Sequence, residues 1–191
     1  KTQTISKTQS ISTKRMAFAA LMAALTCAGS AIRVTMPIQI GDTTSIHLGN
    51  IMCALSGILL GPWLGGLAAG LGSAIYDMFN PLYISEAWLT FLMKGAYAVA
   101  VGMTFRHLHV GEYLRDLIST AAGAVTYAVL YLLKSFLKAM IVSGVTAQAA
   151  IIAVGTKLPA TVFNMAVAIL IAPVLSIAIR KALKQNHIPL N

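Results

Sequence analysis

The sequence predicts an all-α integral membrane protein, a six-transmembrane-helix bundle with its N- and C-termini in the cytoplasm. Of its 191 residues, 58% are hydrophobic and only 10% are charged, whereas soluble domains carry about 25% charged residues. The mean hydropathy is correspondingly high, at +0.79. The apolar stretches have the length of helices and lack the alternation of strands, which favours a helical bundle over a β-barrel.

The chain is expected to form a single membrane domain, 14–184, between a flexible cytoplasmic tail, 1–13, and a C-terminal tail, 185–191. The first tail consists mainly of Ser, Thr, Gln and Lys and has little apolar content. The apolar run after Arg15 is expected to be a retained first span, because no convincing small-residue cleavage site follows it.

The first predicted span, about 16–36, carries a row of small residues. Ala20, Ala24 and Ala28 repeat at a spacing of four, which places them on one helix face. Small side chains in lipid allow helices to approach closely, so this row either packs within the chain or docks a partner membrane protein. Arg33, near the outer end, either lines a cavity mouth or anchors the interface.

The second and third spans, about 48–61 and 63–79, are predicted to form a helical hairpin. Gly61 and Pro62 break the apolar run between them, since glycine tolerates a tight turn and proline cannot continue a helix cleanly. The hairpin would return Asn50 and Asp77 to one membrane face. The second span is shorter than the roughly 20 residues of a full crossing, so it is expected either to unwind near its start or to lie inside the bundle.

The fourth span, about 87–105, contains Lys94. A lysine within a membrane is energetically costly, so it is expected to face a polar cavity or a partner, unless it snorkels to the interface. Asp77 and Glu86 are its natural carboxylate partners within the chain.

The fifth span, about 116–140, places Tyr127, Tyr131, Lys134 and Lys138 on one face, because they lie three or four residues apart. This face is either the wall of a water-filled cavity or an aromatic belt with interfacial lysines.

The sixth span, about 157–180, begins with Lys157 and Pro159. It carries Asn164, which either forms a hydrogen bond with a neighbouring helix or contacts a ligand.

Three outer loops are expected, at 37–47, 80–86 and about 143–156. The first is predicted to form a short extended or hairpin segment near Gly41 and Asp42, and its His47 is a candidate ligand contact.

The orientation of the chain in the membrane follows from the cations, which favour the cytoplasmic side. Nine of the fourteen would lie inside: Lys1, Lys7, Lys14, Arg15, Arg106, Arg115, Arg180, Lys181 and Lys184.

The sequence carries no catalytic constellation: it lacks a phosphate-binding glycine loop and a serine with a plausible His/Asp set. We therefore expect no enzyme, no cofactor and no metal site, and the net charge of +9 is attributed to membrane topology rather than to nucleic acid. Cys27 and Cys53 are expected to be packing residues. The candidate substrate-binding residues are Lys94, Asn164, Asn50, Asp77, Tyr131, Lys134, Lys138, Lys157, His47 and Glu86.

The segment 48–102 resembles the substrate-binding S components of energy-coupling factor (ECF) vitamin transporters, most closely their riboflavin-type branch. The matching residues are Leu48, Gly49, Asn50, Leu60, Gly61, Pro62, Gly66, Ala69, Gly70, Leu71, Gly72, Ser73, Ala74, Asp77, Thr90, Phe91, Lys94 and Gly95. The sequence departs at Asn50, where many relatives have Asp.

The resemblance implies a subunit of an ABC importer in a bacterial-type plasma membrane. Such a subunit binds a vitamin near the outer surface and works with a transmembrane coupling subunit and two cytoplasmic ATPases. The resemblance also implies that the small-residue row of the first span is the docking face. Riboflavin, a B6 vitamer, a thiamine precursor, folate and pantothenate all stay open as ligands.

Two other function classes compete with a vitamin-binding transport subunit. One is an autonomous secondary carrier or channel for a small polar or anionic metabolite, although the two halves of the chain show no convincing repeat. The other is a membrane enzyme or assembly factor. The predicted outer half carries five cations and three acids, Asp42 among them. This excess of positive charge is compatible with a ligand that carries a carboxylate or a phosphate.

Overall fold

The computed structural model describes residues 12–35 and 44–186. Within them the chain forms seven α-helices and one two-stranded sheet. The elements are α1 (Thr13–Ala31), β1 (Arg33–Thr35), β2 (Ser45–His47), α2 (Gly49–Leu60), α3 (Pro62–Met78), α4 (Ala87–His107), α5 (Glu112–Ile141), α6 (Ala147–Gly155) and α7 (Leu158–Gln185). A 3-10 turn, Ile84–Glu86, precedes α4.

All six predicted helices are present, with two differences from the sequence-based boundaries. The first ends at Ala31 rather than near residue 36, because the chain turns there into β1, which pairs with β2 in antiparallel register. The predicted third outer loop contains an additional helix, α6, which begins after the capping residue Thr146. The predicted turn at Gly41 and Asp42 and almost all of both tails lie outside the described residues.

Helix α2 is the centre of the bundle. Every residue in it except Met52 is buried, and it contacts α1, α3, α4, α5 and α7. A helix enclosed by protein on all sides does not need the length of a lipid-facing span, which explains its twelve residues. The second of the two expectations for this segment, a position inside the bundle, is therefore confirmed.

The predicted hairpin between α2 and α3 is confirmed. Gly61 joins the two helices with a φ of +80°, a conformation that favours glycine, and Pro62 occupies the first turn of α3. Because the helices run in opposite directions, Asn50 at the start of α2 and Asp77 at the end of α3 reach the same end of the bundle.

Helix α3 packs closely against three neighbours through different glycines. A Cβ atom on Gly65 would lie 2.3 Å from the Ser56 carbonyl oxygen of α2, and one on Gly72 would lie 2.2 Å from the Ala23 carbonyl oxygen of α1. A Cβ on Gly70 would lie 2.8 Å from the Phe91 carbonyl oxygen of α4. These glycines therefore permit backbone contact on three sides of one helix.

Three helical segments of the described chain are long and apolar enough to cross a membrane: Ile84–His107, Glu112–Ile141 and Leu158–Gln185. Helix α2 is apolar but shorter. The large number of exposed apolar side chains on α1, α3, α4, α5 and α7 fits a lipid-facing surface. The count of six crossings and the cytoplasmic position of both termini stay predictions.

We predict that Gly72→Ala lowers the melting temperature of the purified protein in detergent. The added methyl group would collide with the α1 backbone, and overpacking of this kind costs about 1–3 kcal/mol. Gly155→Ala is the matched control, because a Cβ there meets nothing within 4 Å. Equal melting temperatures for Gly72→Ala and the unmodified chain would contradict the close α1–α3 contact.

Candidate functional site

A polar cavity of about 80 Å³ lies at the end of the bundle where the β1–β2 sheet packs. Helices α1, α2, α3, α4, α5 and α7 all contribute to its walls. Eight of the ten predicted binding residues line it: His47, Asn50, Asp77, Glu86, Lys94, Tyr131, Lys134 and Asn164. Side chains that are far apart in sequence therefore converge on one site.

Lys94 forms the deepest charged group of the cavity. Its side chain is only 3% exposed, so the snorkelling alternative is wrong. The ammonium group donates a hydrogen bond to Asn50 Oδ1 and lies 3.9 Å from the centre of the Tyr127 ring. The hydrogen-bond partner is thus the amide of Asn50 and not the expected carboxylates Asp77 or Glu86. An amide and an aromatic face leave the positive charge only partly compensated.

Asn164 connects α7 to the small sheet. Its Oδ1 accepts a hydrogen bond from the backbone N–H of His47, and its Nδ2 donates to the Ser45 carbonyl oxygen, each over 2.9 Å. The side chain fixes β2 across one wall of the cavity while it also lines the cavity. The partners of Asn164 are thus in β2 rather than in a neighbouring helix, and its contact with a ligand stays a prediction.

Arg33 lines the cavity rather than only anchoring an interface. Its guanidinium carbon lies 4.2 Å from the centre of the Tyr76 ring and 4.7 Å from that of Tyr83, and its Nε donates to the Ser30 carbonyl oxygen. Asp77, which is buried, lines the same cavity, as does Thr90 of α4.

Glu86 joins the rim of the cavity to α5. Its carboxylate pairs with both Lys134 and Lys138. Lys138 itself does not line the cavity; it borders an apolar groove between α4 and α5. Lys157 does not line it either, because it is buried beside α5, where its ammonium group donates to Ser135 Oγ over 3.2 Å. The cavity-wall interpretation of α5 thus holds for Tyr127, Tyr131 and Lys134 but not for Lys138.

Several lining residues were not singled out from the sequence as ligand contacts. They are Ser30, Thr44, Ser45, Ser73, Tyr83, Thr90, Met93, Tyr127 and Thr161. Tyr127 shares a helix face with Tyr131, and the two rings stack with centres 5.9 Å apart and planes 18° apart. Single hydroxyl groups inside apolar helices give little signal, because serine and threonine often bond their own helix backbone.

The cavity can supply hydrogen-bond donors, acceptors and aromatic faces. Within the described residues, no group of three His, Cys, Asp or Glu side chains could hold a metal ion. Burial lowers the pKa of His47 well below its usual value of 6.5, and the positive charges of Lys94 and Arg33 lower it further. The imidazole is therefore neutral, and its Nδ1 accepts the Gly49 backbone N–H over 3.2 Å.

Comparison with known proteins supports the resemblance stated above. A sequence model of the family described as "ECF-type riboflavin transporter, S component" matches residues 10–181. A protein of Pyrococcus woesei, described as an uncharacterized protein in the gap 3' region, is 32% identical over 108 residues. The aligned part covers 56% of this chain and 68% of that protein.

We predict that the stability of the folded chain decreases as the pH falls below about 6.5, the usual pKa of histidine. The unfolded chain then takes up a proton at His47 that the folded chain does not, so protonation favours unfolding. His47→Gln should flatten this part of a plot of melting temperature against pH, whereas His107→Gln, at an exposed histidine, should not. An unchanged slope in His47→Gln would contradict a neutral imidazole at this position of the folded chain.

Proposed function

The chain belongs to the family of ECF-type riboflavin transporter S components, and we propose that its polar cavity captures riboflavin from the outer side of the membrane. The family is one of substrate-binding transporter subunits rather than enzymes. The observation that carries the proposal is the convergence of eight predicted polar and aromatic residues on one enclosed site. Intramembrane polar groups of this kind commonly mark substrate pathways.

The aromatic and polar lining of the cavity suits a flat ligand with many hydrogen-bonding groups. Riboflavin combines an aromatic ring system bearing carbonyl and imide groups with a polyhydroxyl chain. Tyr127 and Tyr131 offer aromatic faces, Lys94 offers a donor for a carbonyl oxygen, and Asp77 offers an acceptor.

The present volume of about 80 Å³ is far below the space that a vitamin needs, since pockets for small molecules span about 300–1,000 Å³. Side chains of the lining must therefore move apart when the ligand binds. The Glu86 ion pairs with Lys134 and Lys138 lie at the rim and join the start of α4 to α5. Their separation is one route by which the cavity could widen.

Coupling to transport is proposed to use the small-residue row of α1. Ala20, Ala24 and Ala28 are exposed, whereas Ala19 and Ala23 pack against the core. An exposed row of alanines leaves room for a close helix–helix contact. We infer that this face docks a transmembrane coupling subunit that is powered by two ATPase subunits, and that the complex imports the vitamin across the plasma membrane.

We predict that Lys94→Ala weakens riboflavin binding at least tenfold, about 1.4 kcal/mol, because the buried donor at the base of the cavity is removed. Calorimetric titration of the purified chain measures the affinity. Lys94→Met removes the same donor but keeps most of the packing of the side chain. Lys181→Ala, an exposed lysine outside the cavity, should leave the affinity unchanged. Unchanged binding in a folded Lys94 variant would exclude this role.

We predict that Ala24→Leu reduces recovery of the coupling subunit several-fold while riboflavin affinity is retained. The larger side chain would hold the partner helix away from α1. Ala166→Leu, at an exposed alanine of α7, is the matched control. The measurement is co-purification together with ATP-dependent riboflavin uptake in liposomes. Uptake by this chain alone, without the coupling and ATPase subunits, would instead support an autonomous carrier.

A further inference from the structure

A second cavity, of about 280 Å³, lies at the opposite end of the bundle from the polar cavity. It is enclosed by the start of α1, the turn between α2 and α3, the end of α4 and the start of α5. Three arginines line it, Arg15, Arg106 and Arg115, together with Phe105 and His109. None of its lining residues is acidic. We call it the arginine cavity.

Two of the three arginines are held in place by the surrounding helices. Arg15 donates from Nη2 to the Leu60 carbonyl oxygen over 3.2 Å, at the C-terminal end of α2. The guanidinium carbon of Arg115 lies 4.0 Å from the centre of the Phe105 ring. Fixed guanidinium groups lose little conformational freedom when they bind an anion, which favours binding.

Both of these arginines retain an unused donor. The Nε atoms of Arg15 and Arg115 are buried, and neither has a hydrogen-bond partner among the described residues. Buried N–H groups are nearly always paired in folded proteins, so two unpaired guanidinium donors in the walls of one cavity are unusual. They indicate that an acceptor from outside the chain completes the cavity.

The nearest acids on α5 are engaged elsewhere. Asp116 Oδ2 accepts from Arg180 Nη2 of α7 over 2.8 Å, and Glu112 lies 3.9 Å from the same nitrogen. These carboxylates do not line the arginine cavity, and Asp116 Oδ1 is itself buried without a hydrogen-bond partner among the described residues. Among the described residues that line the cavity, no acid therefore balances the positive charge of Arg15, Arg106 and Arg115.

We propose that the arginine cavity binds a phosphate group. Guanidinium groups match the oxygen geometry of phosphate with paired, charge-assisted hydrogen bonds. The space exceeds a single phosphate, and the apolar side chains of Ile58 and Leu59 form part of the wall. The phosphate comes either from the headgroup of an anionic lipid or from a free phosphate ion. This assignment does not depend on the identity of the vitamin.

The test uses the full chain in a neutral detergent with two probes. Inorganic phosphate is titrated by calorimetry, and retention of phosphatidylglycerol against phosphatidylcholine is measured by native mass spectrometry. R15Q/R115Q should weaken binding about tenfold or more, because it removes charged hydrogen-bond donors. K181Q/K184Q removes two exposed charges at the same end of the bundle and should retain binding.

The outcomes distinguish a free phosphate ion, a lipid headgroup and the absence of a phosphate site. Saturable binding of inorganic phosphate assigns a free ion, and selective retention of phosphatidylglycerol alone assigns a lipid headgroup. Failure of both probes, or equal loss in the two double variants, overturns the proposal. If R15Q/R115Q does not fold, R106Q replaces it in the test, because Arg106 is an exposed arginine that lines the same cavity. R106Q should also weaken binding. Coupling-subunit capture that requires these arginines while both probes fail would indicate an acidic protein segment instead.

Discussion

The buried contact of Lys94 with Asn50 is the interaction on which the polar end of the molecule depends. It joins the first half of α4 to the start of α2, the helix that α1, α3, α4, α5 and α7 all contact. A charged group in such a position requires polar partners, because the surrounding protein and lipid solvate it poorly. The amide of Asn50 and the ring of Tyr127 are therefore as much a part of the cavity as the lysine is.

The glycines of α3 make this arrangement possible. They allow α1, α2 and α4 to contact one helix almost backbone to backbone. Larger polar side chains at the end of α3 and in the second half of α5 line the polar cavity instead. Close packing and the cavity are thus two consequences of how small and large residues are distributed along the same helices.

Charged side chains at the two ends of the bundle have different kinds of partner. Around the polar cavity, Lys134 and Lys138 share the carboxylate of Glu86, and Arg33 lies between two tyrosine rings. At the opposite end, Arg180 engages the acids of α5, while Arg15 and Arg115 keep buried donors without partners. A ligand in the polar cavity therefore competes with contacts that these cations already make within the chain. An anion at the opposite end would instead supply the hydrogen-bond acceptors that Arg15 and Arg115 lack.

Local sequence patterns were enough to predict the helical class, the α2–α3 hairpin and most of the residues that line the polar cavity. Helix periodicity and a glycine–proline break are local signals, and a lysine within an apolar span is costly enough to imply a cavity. Three features required the folded structure: the bond from Lys94 to Asn50 rather than to a carboxylate, the position of Lys138 and Lys157 outside the cavity, and the presence of Ser73 and Thr90 in its lining. These outcomes depend on the rotation of each helix against its neighbours. That rotation is set by contacts between residues distant in sequence, such as Gly72 with Ala23, which no local pattern encodes.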